Sequence, residues 1–468
     1  MTVDTNVLAV RSREELLRRN EIFDSFFKSE APRLAEACHE MSRRFLAGGR
    51  LLAFGNGSAA TDAQHVSVEF VHPVIVGKRA LPALDLGPEF ERRLPVILHP
   101  QDMVMGFAFP ERDAAVERAL GVGQERGALT FALAGEVGDY PFDLPDEDPF
   151  VCQEVFEVLY HMLWETVHVY FEHREQGHDV GASAFLYPFL GSEEQELEGV
   201  VKDVQGSMMQ KMEEVNGMRA AVAETEAGAI SEISAAVARR LASGGKIIAF
   251  GNGGSATDAN DWALDCIAPP NGWRPIPAVS LSLEPANISA IANDVGTEVV
   301  FLRQLIAHAR PGDVAVGIST SGGSRNVIAA LEEGRKRELL TVALLGYDGG
   351  EIKRRGLADI AIVVRSDYIP RIQEVQASIY HVIRESLELL AVTRYELFGT
   401  STCPYTRDMR EWLELRRAEF AEYDVESDPA ARQRLRDIAG PQRTVPVLVE
   451  HGKVVQVGWQ GRGCTVGE

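Results

Sequence analysis

Arg43-Arg44-Phe45-Leu46-Ala47-Gly48-Gly49-Arg50-Leu51-Leu52-Ala53-Phe54-Gly55-Asn56-Gly57 returns later in the same chain as Arg239-Arg240-Leu241-Ala242-Ser243-Gly244-Gly245-Lys246-Ile247-Ile248-Ala249-Phe250-Gly251-Asn252-Gly253. This repeat decides the fold, because an internal repeat that is missed misreads the whole architecture. Working outward, Pro100-Gln101-Asp102-Met103-Val104-Met105-Gly106 matches Pro311-Gly312-Asp313-Val314-Ala315-Val316-Gly317. Leu129-Thr130-Phe131-Ala132-Leu133 matches Leu340-Thr341-Val342-Ala343-Leu344, and Gln153-Glu154-Val155 matches Gln373-Glu374-Val375. The spacing between partners widens along the chain, so two diverged copies of one domain stand in tandem and the first has lost two loops. Each copy opens with a long amphipathic helical region (13–46; 193–242). Short apolar runs then alternate with helical stretches: 51–54 and 247–250, 104–107 and 314–318, 129–133 and 340–345. Apolar runs of that length between helices predict parallel strands covered on both faces. Each copy therefore reads as a doubly wound α/β layer with N-terminal helices. Residues 181–191, carrying Pro188, read as the linker, and a compact βαβ-like pattern begins at Arg394. The expected domains are 1–190, 191–393 and 394–468.

A chain of 468 residues has room for about three domains at roughly 150 residues each. Lys and Arg number 47 against 69 Asp and Glu, a formal net charge of −22. That balance argues against nucleic-acid binding, which rests on clustered basic residues. The acidic surplus lies before Arg394; beyond it the signs nearly balance. Hydrophobic content of 45% and charged content of 25% are those of an ordinary soluble globular chain. No run approaches the roughly 20 apolar residues that span a bilayer, and the N-terminus has no basic-then-apolar signal pattern, so the expectation is a cytoplasmic protein with no membrane partner. Five cysteines (Cys38, Cys152, Cys266, Cys403, Cys464) are too few for a disulfide scaffold and odd in number, which predicts reduced cytosolic thiols with a reactive one among them.

The chemistry lies at the glycine-rich turns. Strand 247–250 runs into Gly251-Asn252-Gly253-Gly254-Ser255-Ala256-Thr257-Asp258 and then a helix. Glycines let the backbone approach a ligand, and the following helix N-terminus offers free N–H groups to an anion. The third glycine of the dinucleotide fingerprint is missing. A second polar loop, Ser319-Thr320-Ser321-Gly322-Gly323-Ser324, follows strand 314–318. Two such loops at the C-terminal ends of strands, where open α/β sheets bind ligands, predict a phosphate cradle made by Asn252, Gly253, Ser255, Ser319, Thr320, Ser321 and Ser324. The first copy keeps Asn56 in the turn, but its second loop is Phe107-Ala108-Phe109-Pro110-Glu111-Arg112-Asp113. That loop is apolar and acidic and, apart from Arg112, has nothing to hold a phosphate. The first copy reads as having lost phosphate binding.

On these motifs the two copies resemble sugar isomerase (SIS) domains of the sedoheptulose-7-phosphate isomerase (phosphoheptose isomerase) branch. That branch carries G-N-G-G-S, then D-A-x-H with an acidic residue four positions on, then S-T-S-G-x-S, then R-I-Q-E with a histidine eight residues after the glutamine. The resemblance implies aldose–ketose isomerisation of a phosphosugar, a glutamate and a histidine that move the proton, sites formed between subunits, and in some members zinc held by His, Glu, Gln and His. In the first copy these positions are His65, Glu69, Gln153 and His161, the implied zinc ligands; in the second they are Asp261, Asp265, Gln373 and His381. The implied proton-moving residues are Glu69 or Asp265 with His161 or His381, and Gln373 joins the phosphosugar-binding set. Residues i and i+4 share a helix face and i and i+8 nearly do, so two helices are expected to present four ligands to one point. Aspartate for glutamate shortens the base by one methylene and would misplace a proton transfer. One copy thus keeps the acid/base and metal residues while the other keeps the phosphate loops, and an intrachain pseudo-dimer would pool them. The long helices make further pairing of chains plausible.

Thr402-Cys403-Pro404-Tyr405-Thr406 follows strand 395–398 and opens a helix, which lowers a thiol pKa. Downstream stand Arg443-Thr444-Val445-Pro446-Val447 and Gly458-Trp459-Gln460-Gly461-Arg462-Gly463-Cys464. This segment resembles a glutaredoxin-like domain of the thioredoxin type, of the group with selenocysteine or cysteine followed by P-Y-T. The resemblance implies a cis proline at Pro446, a nucleophile at Cys403, and Cys464 either as its resolving partner or as an inert tail thiol. Cys38, Cys152 and Cys266 read as core. Three functions remain open on the sequence: a phosphosugar isomerase with an attached thiol-redox domain, a non-catalytic sugar-phosphate sensor or scaffold, and a thiol-redox accessory factor for a metalloenzyme or thiol client.

Overall fold

A computed structural model describes residues 5–74, 78–109, 112–176, 197–270, 272–391, 395–416, 418, 420–441, 443–450 and 453–466. The expected linker at 181–191 lies outside the described residues. The chain divides into two compact units, Asp4–Leu387 and the segment from Glu388 onward.

The first unit holds both copies. Copy one runs α1 (Thr5–Leu46), β1 (Leu51–Gly55), α2 (Ala59–Val71), β2 (Ala83–Asp85), α3 (Phe90–Ile97), β3 (Met103–Phe107), α4 (Ala114–Glu125), β4 (Leu129–Leu133), β5 (Tyr140–Phe142) and α5 (Pro149–Gln176). Copy two runs α6 (Leu197–Thr225), α7 (Ala227–Ala242), β6 (Ile247–Phe250), α8 (Gly254–Ile267), β7 (Ala278–Ser280), α9 (Pro285–Asp294), α10 (Val300–His308), β8 (Val314–Ser319), α11 (Arg325–Lys336), β9 (Leu340–Gly346), α12 (Gly350–Arg354), β10 (Ile360–Val364) and α13 (Ile369–Ala391). Each sheet is parallel and five-stranded, in the orders β2-β1-β3-β4-β5 and β7-β6-β8-β9-β10. The two orders are the same path followed twice. The central strands are buried from end to end, as their unbroken apolar runs require.

The repeated Gly-Gly has a steric cause. Gly48 and Gly244 both take φ of +85°, a left-handed conformation that ends the preceding helix. At the next residue a Cβ on Gly49 would sit 2.1 Å from the carbonyl oxygen of Gln101, and one on Gly245 would sit 2.5 Å from that of Gly312. The chain can enter β1 or β6 only without a side chain there.

Equivalent residues of the two copies meet reciprocally. Asn20 Nδ2 donates to the carbonyl of Asn216 at 3.0 Å, and Asn216 Nδ2 to that of Asn20 at 3.4 Å. His161 pairs with Glu374 and His381 with Glu154. That is the signature of an isologous two-fold interface, here contained in one chain. Helices α2 and α8 cross it, with Asn260 Nδ2 donating to Gln64 Oε1 at 3.2 Å, and α5 lies along α13. Both sites described below sit on this seam.

The second unit has a mixed sheet of order β12-β11-β14-β15, made by β11 (Tyr395–Gly399), α14 (Pro404–Leu415), β12 (Phe420–Asp424), α15 (Pro429–Ala439), β13 (Thr444–Val445), β14 (Val447–Glu450), β15 (Lys453–Val457) and β16 (Cys464–Thr465). Strand β13 stands apart and pairs with β16. Among the described residues no helix is long and apolar enough to cross a membrane.

Candidate active site

His65 and Glu69 share one face of α2, and His161 reaches them from α5. Their ligating atoms lie within 4.8 Å of one another, all three side chains are buried, and the His65 and His161 rings stand 5.1 Å apart nearly edge to face. His65 Nε2 is 3.7 Å from Glu69 Oε1, too long for a hydrogen bond. Nε2 of both histidines and both carboxylate oxygens of Glu69 have no hydrogen-bond partner. Burying unpartnered polar atoms is costly, so three side chains that bring such atoms together mark a place suited to a ligand.

The fourth member departs from expectation. Gln153 is not beside His65; its Nε2 donates to Asp62 Oδ2 at 2.9 Å and to Asp261 Oδ1 at 2.6 Å. Gln373 of the other copy fills the position instead. A Cβ placed on Gly254 would lie 1.8 Å from Gln373 Nε2 and 2.9 Å from His65 Nε2, so the two side chains meet over that glycine, and Gln373 Oε1 is buried and unpartnered. The reason is helix geometry. Residues 153 and 161 are separated along α5 by about 12 Å at 1.5 Å per residue, so each belongs to a different site on the seam. The set His65, Glu69, His161 and Gln373 comes from three helices and both copies.

This set abuts the phosphate loops of copy two, since Gly254 opens α8 in the Gly251–Ser255 turn. Asn252 Nδ2 donates to Asn326 Oδ1 at 2.9 Å, tying that turn to the Ser319–Ser324 loop on the neighbouring strand. Ser319 and Ser324 hydroxyls lie 3.2 Å apart, and the Ser321 hydroxyl accepts from the Gly323 amide at 3.2 Å. The N-cap residues Gly253 and Ser324 make no side-chain cap to α8 or α11; Asn326 Oδ1 takes the Val327 amide at 2.9 Å, and the amides before it remain for an anion. In copy one the same place is filled from within. Asp113 Oδ1 accepts from the amides of Ala115 and Val116 at 2.7 and 3.2 Å, and its Oδ2 from Asn56 at 2.6 Å. A carboxylate of the chain sits where a phosphate would. Asn56 is therefore engaged internally, and Arg112, the loop's cation, pairs with Glu136.

The other site on the seam gathers Asp261, Asp265 and His381, whose ligating atoms also lie within 4.8 Å of one another, with His381 Nε2 and Asp265 Oδ2 likewise lacking a hydrogen-bond partner. His381 Nε2 is 3.2 Å from Asp265 Oδ2 and 3.5 Å from Asp261 Oδ2, and its Nδ1 is 2.9 Å from Glu154 Oε1. Asp261 also accepts from Thr61, Gln153 and the Tyr380 hydroxyl. Burial opposes charge on His381, but Asp261, Asp265 and Glu154 outweigh it and push its pKa well up. Burial and then Asp261 raise Asp265 to about 7. At the first site the sign reverses: burial lowers His65 and leaves its imidazole neutral, as a ligand or proton carrier requires. Asp258, whose Oδ1 is 4.0 Å from His65 Nδ1, is held well above the carboxylate range by burial, then by Asp261 and Glu69.

Sequence reasoning left Glu374, Glu154 and Asp113 without roles. The repeated Gln-Glu-Val carried the signal for the first two, since a polar pair kept in both copies of a buried helix calls for two partners.

In the second unit Cys403 stands at the N-cap of α14 with Pro404 at its first turn, and Cys403 and Cys464 are joined by a disulfide. The Val445–Pro446 peptide is cis, and β13–β16 pairing sets Cys464 opposite Val445. Cys38, Cys152 and Cys266 are free and buried, and burial pushes each thiol up to about 12.

Comparison with known proteins follows these outlines. The SIS domain model matches residues 212–346 and the glutaredoxin model residues 395–455. The phosphoheptose isomerase of a Nitratiruptor species is 48% identical over 139 residues, 30% of this chain and 73% of that protein. That of Geobacter sulfurreducens is 43% identical over 163 residues, 35% of this chain and 85% of that protein. In fold alone, the C-terminal domain of glucosamine-fructose-6-phosphate aminotransferase from Francisella tularensis superposes with a TM-score of 0.51 and 9% identity, covering 80% of this chain and 94% of that one. Two SIS domains and a glutaredoxin domain thus make up the molecule. The chain belongs to the phosphoheptose isomerase family.

Proposed function

We propose that this protein is an aldose–ketose isomerase acting on a seven-carbon sugar phosphate of the sedoheptulose 7-phosphate type, through one composite site per pair of copies. The observation that carries the reading is the convergence of His65, Glu69 and His161 with Gln373 and the open phosphate turn of the other copy. The phosphate is held by the α8 and α11 amides with Ser255, Ser319, Thr320, Ser321 and Ser324, which suits an acidic chain because the donors are local and neutral. Glu69 takes the proton from the carbon beside the carbonyl and returns it to the former carbonyl carbon, through an enediol(ate). His161 moves the proton between the two oxygens. The unpartnered atoms of His65, Glu69, His161 and Gln373 have the types that hold zinc, with Gln373 in place of the expected Gln153. A divalent ion bound there would polarise the carbonyl. Asp265 and His381 are engaged with each other, and with Asp261, Gln153 and Glu154 they act as structural glue between the copies. Cys403 and Cys464 serve as a dithiol pair for a thiol or disulfide client. In a coupled assay with sedoheptulose 7-phosphate, Glu69→Gln is expected to lower kcat by about 1,000-fold. An unchanged kcat would make the composite site structural.

A further inference from the structure

His161 has a second ring nitrogen besides the one turned to His65 and Glu69. Its Nδ1 lies 3.0 Å from Oε1 of Glu374, a residue of the other copy, and both side chains are fully buried. The same Oε1 accepts from Nη1 of Arg371, one turn earlier on α13. An oxygen that already accepts from a guanidinium is an acceptor for the ring as well, so the proton of His161 sits on Nδ1 and the lone pair on Nε2. Nε2 is the atom turned towards His65 and Glu69. Arg371 is held in turn by Glu165, at 3.1 Å, and Glu165 by Lys211 and the Tyr368 hydroxyl. Burial opposes charge on Glu165, but Arg371 and Lys211 outweigh it and bring its carboxyl to about 2, so this anchor stays charged.

We propose that Glu374 is a positioning residue: supplied by the second copy, it fixes the tautomer and ring orientation of His161 in the first, so that the composite site works only when the two copies are docked. This rests on the isomerase reading for its kinetic consequence, although the tautomer itself does not. A carboxylate behind a working imidazole is a small lever on binding and a large one on the step that the ring performs.

The two-fold relation supplies an internal control. Glu154 is the equivalent carboxylate, 2.9 Å from Nδ1 of His381 and neutralised by Arg19, at the other site on the seam. Removing either carboxylate breaks a comparable buried pair, so a merely structural role predicts equal effects. The test uses the full-length chain. The 15N spectrum of histidine-labelled protein, with the His161 signal identified through His161→Gln, is expected to show His161 protonated at Nδ1, and to lose that preference in Glu374→Ala. In the isomerisation assay Glu374→Ala is expected to lower kcat by about 10- to 100-fold with KM within about 2-fold, and Glu374→Gln, which keeps an accepting oxygen, to recover much of the loss. Glu154→Ala is expected to lower the unfolding midpoint while leaving kcat within about 2-fold. His161 protonated at Nε2 in the unaltered protein would overturn the proposal. So would equal losses of kcat in Glu374→Ala and Glu154→Ala. An unaltered chain that does not isomerise the sugar phosphate would count against the isomerase reading alone, and the tautomer would still decide the role of Glu374.

Discussion

At the scale of single residues, the two copies have diverged by exchanging self-sufficiency for complementarity. Asp113 plugs the anion place of copy one with the chain's own carboxylate, while Ser324 at the corresponding helix start of copy two makes no such cap. Asp261 and Asp265 ion-pair with His381 at 3.5 and 3.2 Å, whereas His161 Nε2 faces a second imidazole and one carboxylate, those of His65 and Glu69. Residue types were therefore legible in the sequence and destinations were not. Gln153 and His161 look like one pair on one helix, yet only the packing of α5 against α13 tells that each serves a different site. Cys464 was open between resolving partner and inert tail. The disulfide with Cys403, and the pairing of Cys464 with Val445, favour the first. A thiolate at the start of α14 that attacks a client disulfide forms a mixed disulfide with one client sulfur and releases the other as a thiol; attack by Cys464 then frees the client and leaves the Cys403–Cys464 bond. Cys464→Ser is expected to accumulate the mixed disulfide with an added disulfide peptide, visible by mass spectrometry. Equal accumulation in the unaltered protein would make Cys464 a bystander.

At the scale of elements, the central strands and the long helices were readable from apolar runs and periodicity, but the edge strands β2, β5, β7 and β10 were not picked out. The first three are three residues long with partly exposed faces and carry no apolar run to detect, whereas β10 does carry one, Ile360–Val364, which the expected strands omit. The helical region before copy two, expected as one stretch, is two helices that break at Glu226. What joins α5 to α13 and α1 is a row of buried ion pairs. Burial works against Glu154, but Arg19 and His381 hold its carboxyl at about 2, and Glu165 is held at the same level by Arg371 and Lys211. A carboxyl with a folded-state pKa below its unfolded value near 4.3 adds stability that is present above about pH 4.3 and is lost as the pH falls through about 2. The urea midpoint is therefore expected to fall steadily between about pH 4.5 and pH 2, and Glu154→Gln to flatten that fall. An identical slope in the variant would show that the pair does not carry the acid sensitivity.

At the scale of the molecule, duplication within one chain lets a two-fold interface become asymmetric. A symmetric dimer must change both of its sites together, whereas here one site joins His65, Glu69 and His161 of copy one to the Gly251–Ser255 turn of copy two, and its counterpart joins Asp261, Asp265 and His381 to Gln153 and Glu154. The acidic surplus of the chain is spread over this pair, and neither α8 nor α11 carries an acidic residue in its first turn. The claim that the copies pool their parts is tested most directly by turnover of sedoheptulose 7-phosphate in Glu69→Gln, in Ser321→Ala, and in an equimolar mixture of the two refolded together. The account predicts that each variant loses activity by about 100-fold or more and that the mixture recovers none, because each chain needs both residues at its own composite site. Activity retained in either variant would contradict it by showing that each copy works alone, and recovery in the mixture would contradict it by placing the working site between chains.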